Sequence, residues 1–429
     1  MVTRITCRIC DFQPLASILS LGDLFISDFI AQGAFNTRRK APLELVLCDA
    51  DKGGCGLVQL KHTVPHEMMY RNYWYRSGIS KTMTDALHEI VAKGESLVKF
   101  SPGDFVLDIG ANDGTLLRGY GLQNVNLVGF EPARNLREYA SKGTTKIIDD
   151  FFSFAAWKKE FGSTKVKVVT AIAMFYDLED PNTFVADVVK CLDPNGVFII
   201  QMSYLPMMLS ENAFDNICHE HLEYYSFFSL ENLLRRHGLE VFDVELNEIN
   251  GGSFRTYIRH VGSEGEKISV FEGARRRIEM LRKQEALLGL NQEEVYEKFE
   301  KRVHILKEAL CDFVKKEVGK GRKVYVYGAS TKGNTLLQFF GLDHHLITAA
   351  AERNPDKWGK RTVGTNIPIV SEEEARIARP DYFLVLPWHF IKEFVEREQE
   401  FLAGGGKFIV PLPQFAIISR DGISNSFSL

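Results

Sequence analysis

Long apolar runs are missing from this chain. No stretch approaches the ~18 consecutive apolar residues that a membrane-spanning helix needs, so no membrane partner is expected. The opening residues, Met1 to Asp11, are polar and cysteine-bearing where a leader would be apolar. No targeting segment is expected, and the expected compartment is the cytoplasm. An excess of one charge is missing too. The 52 Lys+Arg against 56 Asp+Glu leave a net charge of −4, which argues against a chain built to grip nucleic acid or an anionic surface. Low-complexity tracts are absent. The seven cysteines are an odd number scattered through the chain, a poor framework for disulfides. What remains is an ordinary globular composition, 45% hydrophobic and 25% charged. Its 429 residues suffice for about three domains of ~150 residues.

Residues 1–80 hold four of the seven cysteines among glycines and short apolar runs, the pattern of a small unit that needs a staple. From Asp104 short apolar runs begin: Phe105–Asp108, Val125–Phe130, Val166–Ala171 and Gly196–Ile200. Helical patterns at 134–141 and 181–192 separate them. Strands alternating with helices predict a parallel α/β sheet over 81–265. Residues 266–320 read as an amphipathic helical connector with an apolar stripe of Ile278, Leu281, Leu287 and Leu288, broken near Gly289 and Asn291. A second α/β pattern fills 321–429, with apolar runs at Lys323–Gly328, Ile347–Ala351, Tyr382–Leu386 and Lys407–Val410. The expected fold is therefore α/β throughout, behind a small N-terminal unit.

Three clusters carry chemistry. Cys7-Arg-Ile-Cys10 is a C-x₂-C knuckle, and Cys48 with Cys55 is a looser pair set among Gly53, Gly54 and Gly56. Four thiolates suit a closed, tetrahedral, structural Zn²⁺; the alternative is free cysteines of a small domain. Second, Asp108-Ile-Gly110-Ala-Asn112-Asp113-Gly114 lies where a first strand meets a first helix, a place where backbone approaches a ligand closely. The G-x-G-x-x-G fingerprint is absent, which disfavours a nicotinamide dinucleotide and hence a dehydrogenase. Asp108 would repel a pyrophosphate and suits a cationic ligand. Glu131 ends the second strand, where it can accept ribose hydroxyls, and Asp149-Asp150-Phe151-Phe152 offers an acid and rings for adenine. Loop, acid and acid-aromatic step in this order resemble the class I methyltransferase pattern for S-adenosylmethionine. Third, Cys218-His219-Glu220-His221-Leu-Glu-Tyr224-Tyr225 gathers titratable groups. It is not a zincin, because H-E-x-x-H from His219 would need histidine at Glu223. A Cys218/His219/His221 metal site is conceivable, but a His base oriented by a carboxylate is the better chemical reading.

Over nearly its whole length the chain resembles the sugar C-methyltransferases that act on TDP-linked 4-keto deoxysugars. The resemblance runs through Cys7-x₂-Cys10, Leu21–Leu24, Cys55–Leu60, Tyr75-Arg-Ser77, Asp108–Gly114, His219-Glu-His221 and Asn250–Arg255. It continues through Tyr327-Gly-Ala-Ser-Thr-Lys332-Gly-Asn334, Glu352-Arg353-Asn354-Pro-Asp-Lys357, Gly364–Pro368 and Pro411-Leu-Pro413. It implies a zinc-binding N-terminal domain, a central methyltransferase domain and a C-terminal Rossmann-like domain, with a nucleotide sugar in the cleft between them. It implies that a carbon beside a ketone is deprotonated and then methylated. The base corresponds to His221, with Tyr75 and Glu220 lining the site and His219 among the catalytic group; Tyr75 is the expected phenol for the enolate oxygen, with Tyr224 or Tyr225 as a second donor. Lys332, Asn334, Arg353 and Asn354, on loops after C-terminal strands, are expected to hold the substrate. Two positions depart from the family pattern: Cys218 stands where a tyrosine is usual, and Ala173-Met-Phe175-Tyr176-Asp177 lacks a histidine usual after the third methyltransferase strand. Rival readings are methyl transfer to oxygen or to a non-sugar carbon acid, and a non-catalytic adaptor. A monomer or small homo-oligomer is expected.

Overall fold

A computed structural model of the chain describes residues 1–31, 33, 39–263 and 268–425. The boundary expected between 265 and 266 falls outside the described residues. Among these residues, no helix is long and apolar enough to cross a membrane.

The central sheet has seven strands, in the spatial order Leu239–Asn247, Ser253–His260, Leu192–Ser203, Val166–Ile172, Phe105–Ile109, Asn126–Phe130 and Lys146–Ile148. All run parallel except Ser253–His260, which is antiparallel to both neighbours. Strand residues alternate between faces. Val106, Val168, Val197 and Ile199 meet Leu87, Ile90 and Val91 of the helix Lys81–Leu97. Leu107, Val169, Phe198 and Ile200 join the core of the opposite face, under helices Pro181–Cys191 and Phe227–Arg236. Burial on both faces explains why these strands read as continuous apolar runs. Three strands lack that signature. Lys146–Ile148 is a short edge strand, and Leu239–Asn247 and Ser253–His260 mix charge with apolar residues. The segment expected to be helical at 134–141 is only a 3₁₀ turn and the four-residue helix Arg137–Ala140.

The C-terminal sheet orders its strands Ile369–Ser371, Ala350–Glu352, Val324–Tyr327, Tyr382–Val385, Lys407–Val410, Ala416–Ser419 and Gly422–Asn425. The first five are parallel. In both large sheets the first strand of the unit lies beside the second on one side and the fourth on the other, the switch point at which α/β sheets open a crevice. Helices Ala274–Leu288 and Glu293–Gly319 come between the units, separated by Gly289 at φ +65°. The expected stripe is only half buried. Ile278 and Leu281 pack inward, whereas Leu287 is 80% exposed and Leu288 also faces solvent. Glu285 takes the inward place, accepting from Tyr204 Oη at 2.7 Å and the Phe228 amide at 2.9 Å.

The N-terminal sheet is antiparallel. Its order is Glu223–Tyr224, Val58–Leu60, Lys40–Leu47 and Ala16–Phe25, so its first strand comes from the middle of the chain. Phe29–Ala31 pairs in turn with Lys360–Thr362.

Candidate active site

The four cysteine sulfurs of the N-terminal unit lie within 4.8 Å of one another. Cys7 Sγ is 3.4 Å from Cys55 Sγ, and Cys10 Sγ is 3.5 Å from Cys48 Sγ. Sulfurs ~2.3 Å from a tetrahedral zinc would stand about 3.8 Å apart. Backbone amides of Ile9 and Cys55 point at Cys7 Sγ and Cys48 Sγ, at 3.4 and 3.2 Å. A Cβ at Gly54 would come within 2.6 Å of Cys48 Sγ, so glycine is required for the second pair to close. The residues fit a structural zinc with all four positions taken by thiolates. Among the described residues Asp343, His344 and His345 also converge, but the two histidines are exposed.

The carboxyl edges of the two large sheets face one cavity of about 420 Å³. Gly110 and Ala173 follow strands of the central sheet, Gly328 and Leu386 follow strands of the C-terminal sheet, and all four line it. Residues 66–80 close its side.

On the central-sheet half, Glu131 Oε2 accepts the Asn112 amide at 2.7 Å and Oε1 accepts the Ala133 amide at 2.8 Å. Burial pushes its pKa up to about 7. Asp108 lies behind it, accepting from Thr170 Oγ1 at 2.6 Å, and burial raises it to about 7 as well. Gly110 turns the loop at φ +76°, and a Cβ there would meet Met174 Cγ at 3.0 Å. Asn112 lines the cavity but spends its side chain on the neighbouring segment, accepting from the Ser77 amide and donating to the Tyr75 carbonyl, both at 3.0 Å. Gly114 does not line the cavity. Its Cβ would strike the Ala140 carbonyl at 2.8 Å, so it serves close packing beneath the loop. Asp150 and Phe151 form the far wall, with Arg71 hydrogen-bonded to Asp150 at 3.3 Å and 5.0 Å above the Phe151 ring. These residues suit an adenosine with a cationic tail: a carboxylate for ribose, a ring for adenine and acids nearby. An S-adenosylmethionine fits that donor set.

The His-Glu-His segment lies between the halves. It is a turn, with the His221 amide bonded to the Cys218 carbonyl at 3.2 Å. Glu220 and His221 therefore both line the cavity, which adjacent strand residues could not do. His221 Nδ1 lies 2.8 Å from the Asn216 carbonyl. A carbonyl only accepts, so Nδ1 carries the proton and Nε2 keeps a lone pair. Burial and the Lys332 charge hold the imidazole well below its ordinary pKa, hence neutral. Tyr176 packs against it with ring centres 4.2 Å apart. Tyr224 stands behind this loop rather than in the cavity, its hydroxyl donating to the carbonyls of His221 at 3.1 Å and Asn216 at 3.3 Å. His219 turns away altogether, its Nε2 bonded to the Ala41 carbonyl at 3.0 Å. Tyr75 lines the cavity beside the glycine loop and is 42% exposed.

Of the four C-terminal residues, two reach the cavity. Lys332 opens the helix Thr331–Phe340 and its Nζ donates to Asn216 Oδ1 at 2.6 Å. Arg353 lies at the rim, 3.9 Å from Glu393. Asn334 and Asn354 do not line it. Their amides donate to the carbonyls of Asp28 and Trp74, at 2.9 and 3.0 Å, and so tie the C-terminal unit to the N-terminal segment.

Sequence reasoning passed over Asp177, Asp215, His389 and Glu352, all of which line the cavity. For Glu352 a signal existed. It ends the second strand of its sheet as Glu131 follows that of the other, and it accepts the amides of Ala329 and Asn354 at 2.9 and 2.8 Å in the same way. The other three are brought in by tertiary contacts that no local pattern announces.

Three family models match the chain. A zinc binding domain model matches residues 7–70, a methyltransferase domain model 75–244, and a C-methyltransferase C-terminal domain model 248–413. The C-methyltransferase NovU of Streptomyces niveus is 29% identical over 418 residues, covering 97% of each chain. Solved structures that align include the CcbJ methyltransferase of Streptomyces caelestis, 14% identical with a TM-score of 0.33, over 44% of this chain and 100% of its own. Another is the N-methyltransferase NodS of Bradyrhizobium japonicum, 12% identical with a TM-score of 0.31, over 43% and 97%. The three matched domains, in this order, and the full-length similarity to a C-methyltransferase make this chain an S-adenosylmethionine-dependent methyltransferase with a zinc-binding N-terminal domain.

Proposed function

We propose that this enzyme methylates the carbon beside the ketone of a nucleotide-linked 4-keto deoxysugar, TDP-linked in the family pattern, with His221 as the base. The observation that carries the proposal is the hydrogen bond from His221 Nδ1 to the Asn216 carbonyl at 2.8 Å. It fixes the tautomer whose free Nε2 can take a proton, on a buried, neutral imidazole lining the shared cavity. A carbon acid beside a carbonyl is weak, and a base held neutral at the reacting carbon is what its ionisation needs.

Bound S-adenosylmethionine supplies an electrophilic methyl group. The chain's own residues do the rest. Asp108, Gly110, Asn112 and Glu131, with Asp150 and Phe151, hold the cofactor on the central-sheet side. Arg353 meets the diphosphate at the rim, where a guanidinium can grip it bidentately. Tyr224 braces the Asn216 carbonyl that holds the His221 ring, and His221's own carbonyl. The proton of the substrate carbon passes to Nε2, the electron pair moves onto the ketone oxygen, and the carbon then takes the methyl as the ketone re-forms. Burial of His221 and Glu220 keeps water from the carbanion.

The test is hydrogen exchange in heavy water. With S-adenosylhomocysteine and TDP-4-keto-6-deoxyglucose bound, the wild type incorporates deuterium beside the ketone, and His221→Gln loses both exchange and methylation while keeping cofactor affinity. Methyl transfer to oxygen, or exchange in the variant at the wild-type rate, defeats the proposal.

A further inference from the structure

Asn216 holds two groups at once. Its backbone carbonyl accepts from His221 Nδ1 at 2.8 Å, and its side-chain Oδ1 accepts from Lys332 Nζ at 2.6 Å. One residue of the central domain thus sets the position of the base and of an ammonium that arrives from the C-terminal domain. We propose that Lys332 is a catalytic residue: its ammonium holds the developing enolate oxygen while His221 takes the proton. The proposal rests on the ketosugar reading above and assigns to Lys332 a part in the reaction, not in gripping the diphosphate.

Four observations support it. Lys332 sits in the first turn of its helix, where the macrodipole disfavours a cation, so helix stability does not explain the residue. Around it, Glu220 Oε2, Asp177 Oδ1, Asp215 Oδ1 and His389 Nδ1 are buried and have no hydrogen-bond partner among the described residues, and all four residues line the cavity. Buried polar atoms are almost always satisfied, so this cluster awaits a polar ligand at the same spot. Burial pushes Glu220, Asp177 and Asp215 up toward their neutral forms, which leaves the ammonium less compensated than three carboxylates would suggest. Finally, Cys218, at the start of the turn that carries His221, is not among the residues lining the cavity. Cys218 is buried, its thiol is pushed well up by that burial, and a thiol is a poor hydrogen-bond donor.

The step balances without another reactant. The C–H bond breaks, its proton goes to Nε2, its electron pair becomes the enolate, and Lys332 donates a hydrogen bond to the oxygen without giving up its proton. Methyl capture returns the oxygen to a carbonyl.

The test uses the holoenzyme in heavy water with S-adenosylhomocysteine, TDP-4-keto-6-deoxyglucose as the reacting probe and TDP-glucose as a probe without the ketone. Removing one such donor typically costs 10²–10³ in rate, so Lys332→Met is expected to slow exchange and kcat by about 10²-fold or more. Its affinity for TDP-glucose and S-adenosylhomocysteine should stay within about threefold, and Lys332→Arg should recover part of the rate. Asn216→Ala keeps the backbone carbonyl but frees the ammonium, and should slow exchange about tenfold with both affinities kept. Should Lys332→Met fail to bind S-adenosylhomocysteine, the Asn216 variant carries the decision. Wild-type exchange rates in Lys332→Met or Asn216→Ala overturn the proposal. So does a tenfold loss of TDP-glucose affinity with exchange intact at saturation, the mark of a diphosphate ligand. A wild type that exchanges nothing refutes the ketosugar reading itself, and the assignment with it.

Discussion

If Glu131 holds the cofactor's ribose as proposed, cofactor affinity should depend on pH. The Glu131 carboxyl is buried between two backbone amides, and burial moves its pKa from 4.5 to about 7, with the Asp113 charge adding in the same direction. In the ligand-free protein the neutral form is therefore favoured. The stability it contributes is full below about pH 4.5 and is lost as the pH rises through about 7. Ribose hydroxyls donate to a carboxylate and favour its ionised form. Binding should therefore strengthen as the pH climbs to about 7 and level off above it. If the two hydroxyls recover even one pH unit of the displacement, the gain is about 1.4 kcal/mol, a factor of ten. Calorimetric titration with S-adenosylhomocysteine from about pH 5.5 to about pH 8.5 reads this directly, with Kd falling about tenfold below neutrality. Glu131→Gln keeps the shape but not the charge, so it should flatten the slope and weaken binding at high pH by about 1.5–3 kcal/mol. Asp108 remains in that variant, tied to Thr170, so any slope that survives belongs to it. A pH-independent Kd in the wild type, or a Glu131→Gln variant with undiminished slope and affinity, would refute the reasoning.

Metal analysis should find one zinc per chain, and Cys10→Ser should lose it together with the folded N-terminal unit, seen as an earlier melting transition, because ligand bonds supply folding energy there. Tyr224→Phe removes two hydroxyl contacts to the carbonyls around His221; kcat should fall several-fold with cofactor Kd unchanged, and a shift in Kd alone would contradict the bracing role. Arg277→Met strands the fully buried Asp243 carboxylate, which Arg277 grips at 2.5 and 2.8 Å. Stability should drop by about 3 kcal/mol or more in urea unfolding, and a loss under about 1 kcal/mol would show the carboxylate finds another partner.

The two α/β units were legible in the sequence because their strands are buried on both faces and read as apolar runs. Strands that mix charge with apolar residues, such as Ser253–His260, leave no such trace. The cavity follows from the same pattern only at its rims: Gly110 and Glu131 follow strands, His221 sits in a turn and Lys332 in the first turn of a helix. Which way a loop residue faces is decided by contacts between distant segments. Asn334 and Asn354 neighbour cavity residues in sequence, yet their amides go to Asp28 and Trp74. His219 and His221 are two residues apart, and the turn between them sends one to the Ala41 carbonyl and the other into the cavity. Neither spacing nor residue type carries that information. The neutral tautomer of His221 likewise depends on Asn216, whose carbonyl no sequence pattern marks.

The strand Glu223–Tyr224 pairs with Val58–Leu60 of the N-terminal sheet, immediately after the turn that carries His221. The segment bearing the proposed base is therefore woven into the zinc-holding unit, although more than a hundred residues of chain lie between them. Modular redesign has to respect that seam. A chimera cut at residue 75, joining the N-terminal unit of one relative to the remainder of another, would splice two unrelated edges at this ladder and misplace the base. A graft that moves residues 1–75 and 214–226 together keeps the ladder whole, so the unit of recombination in this architecture is discontinuous in sequence.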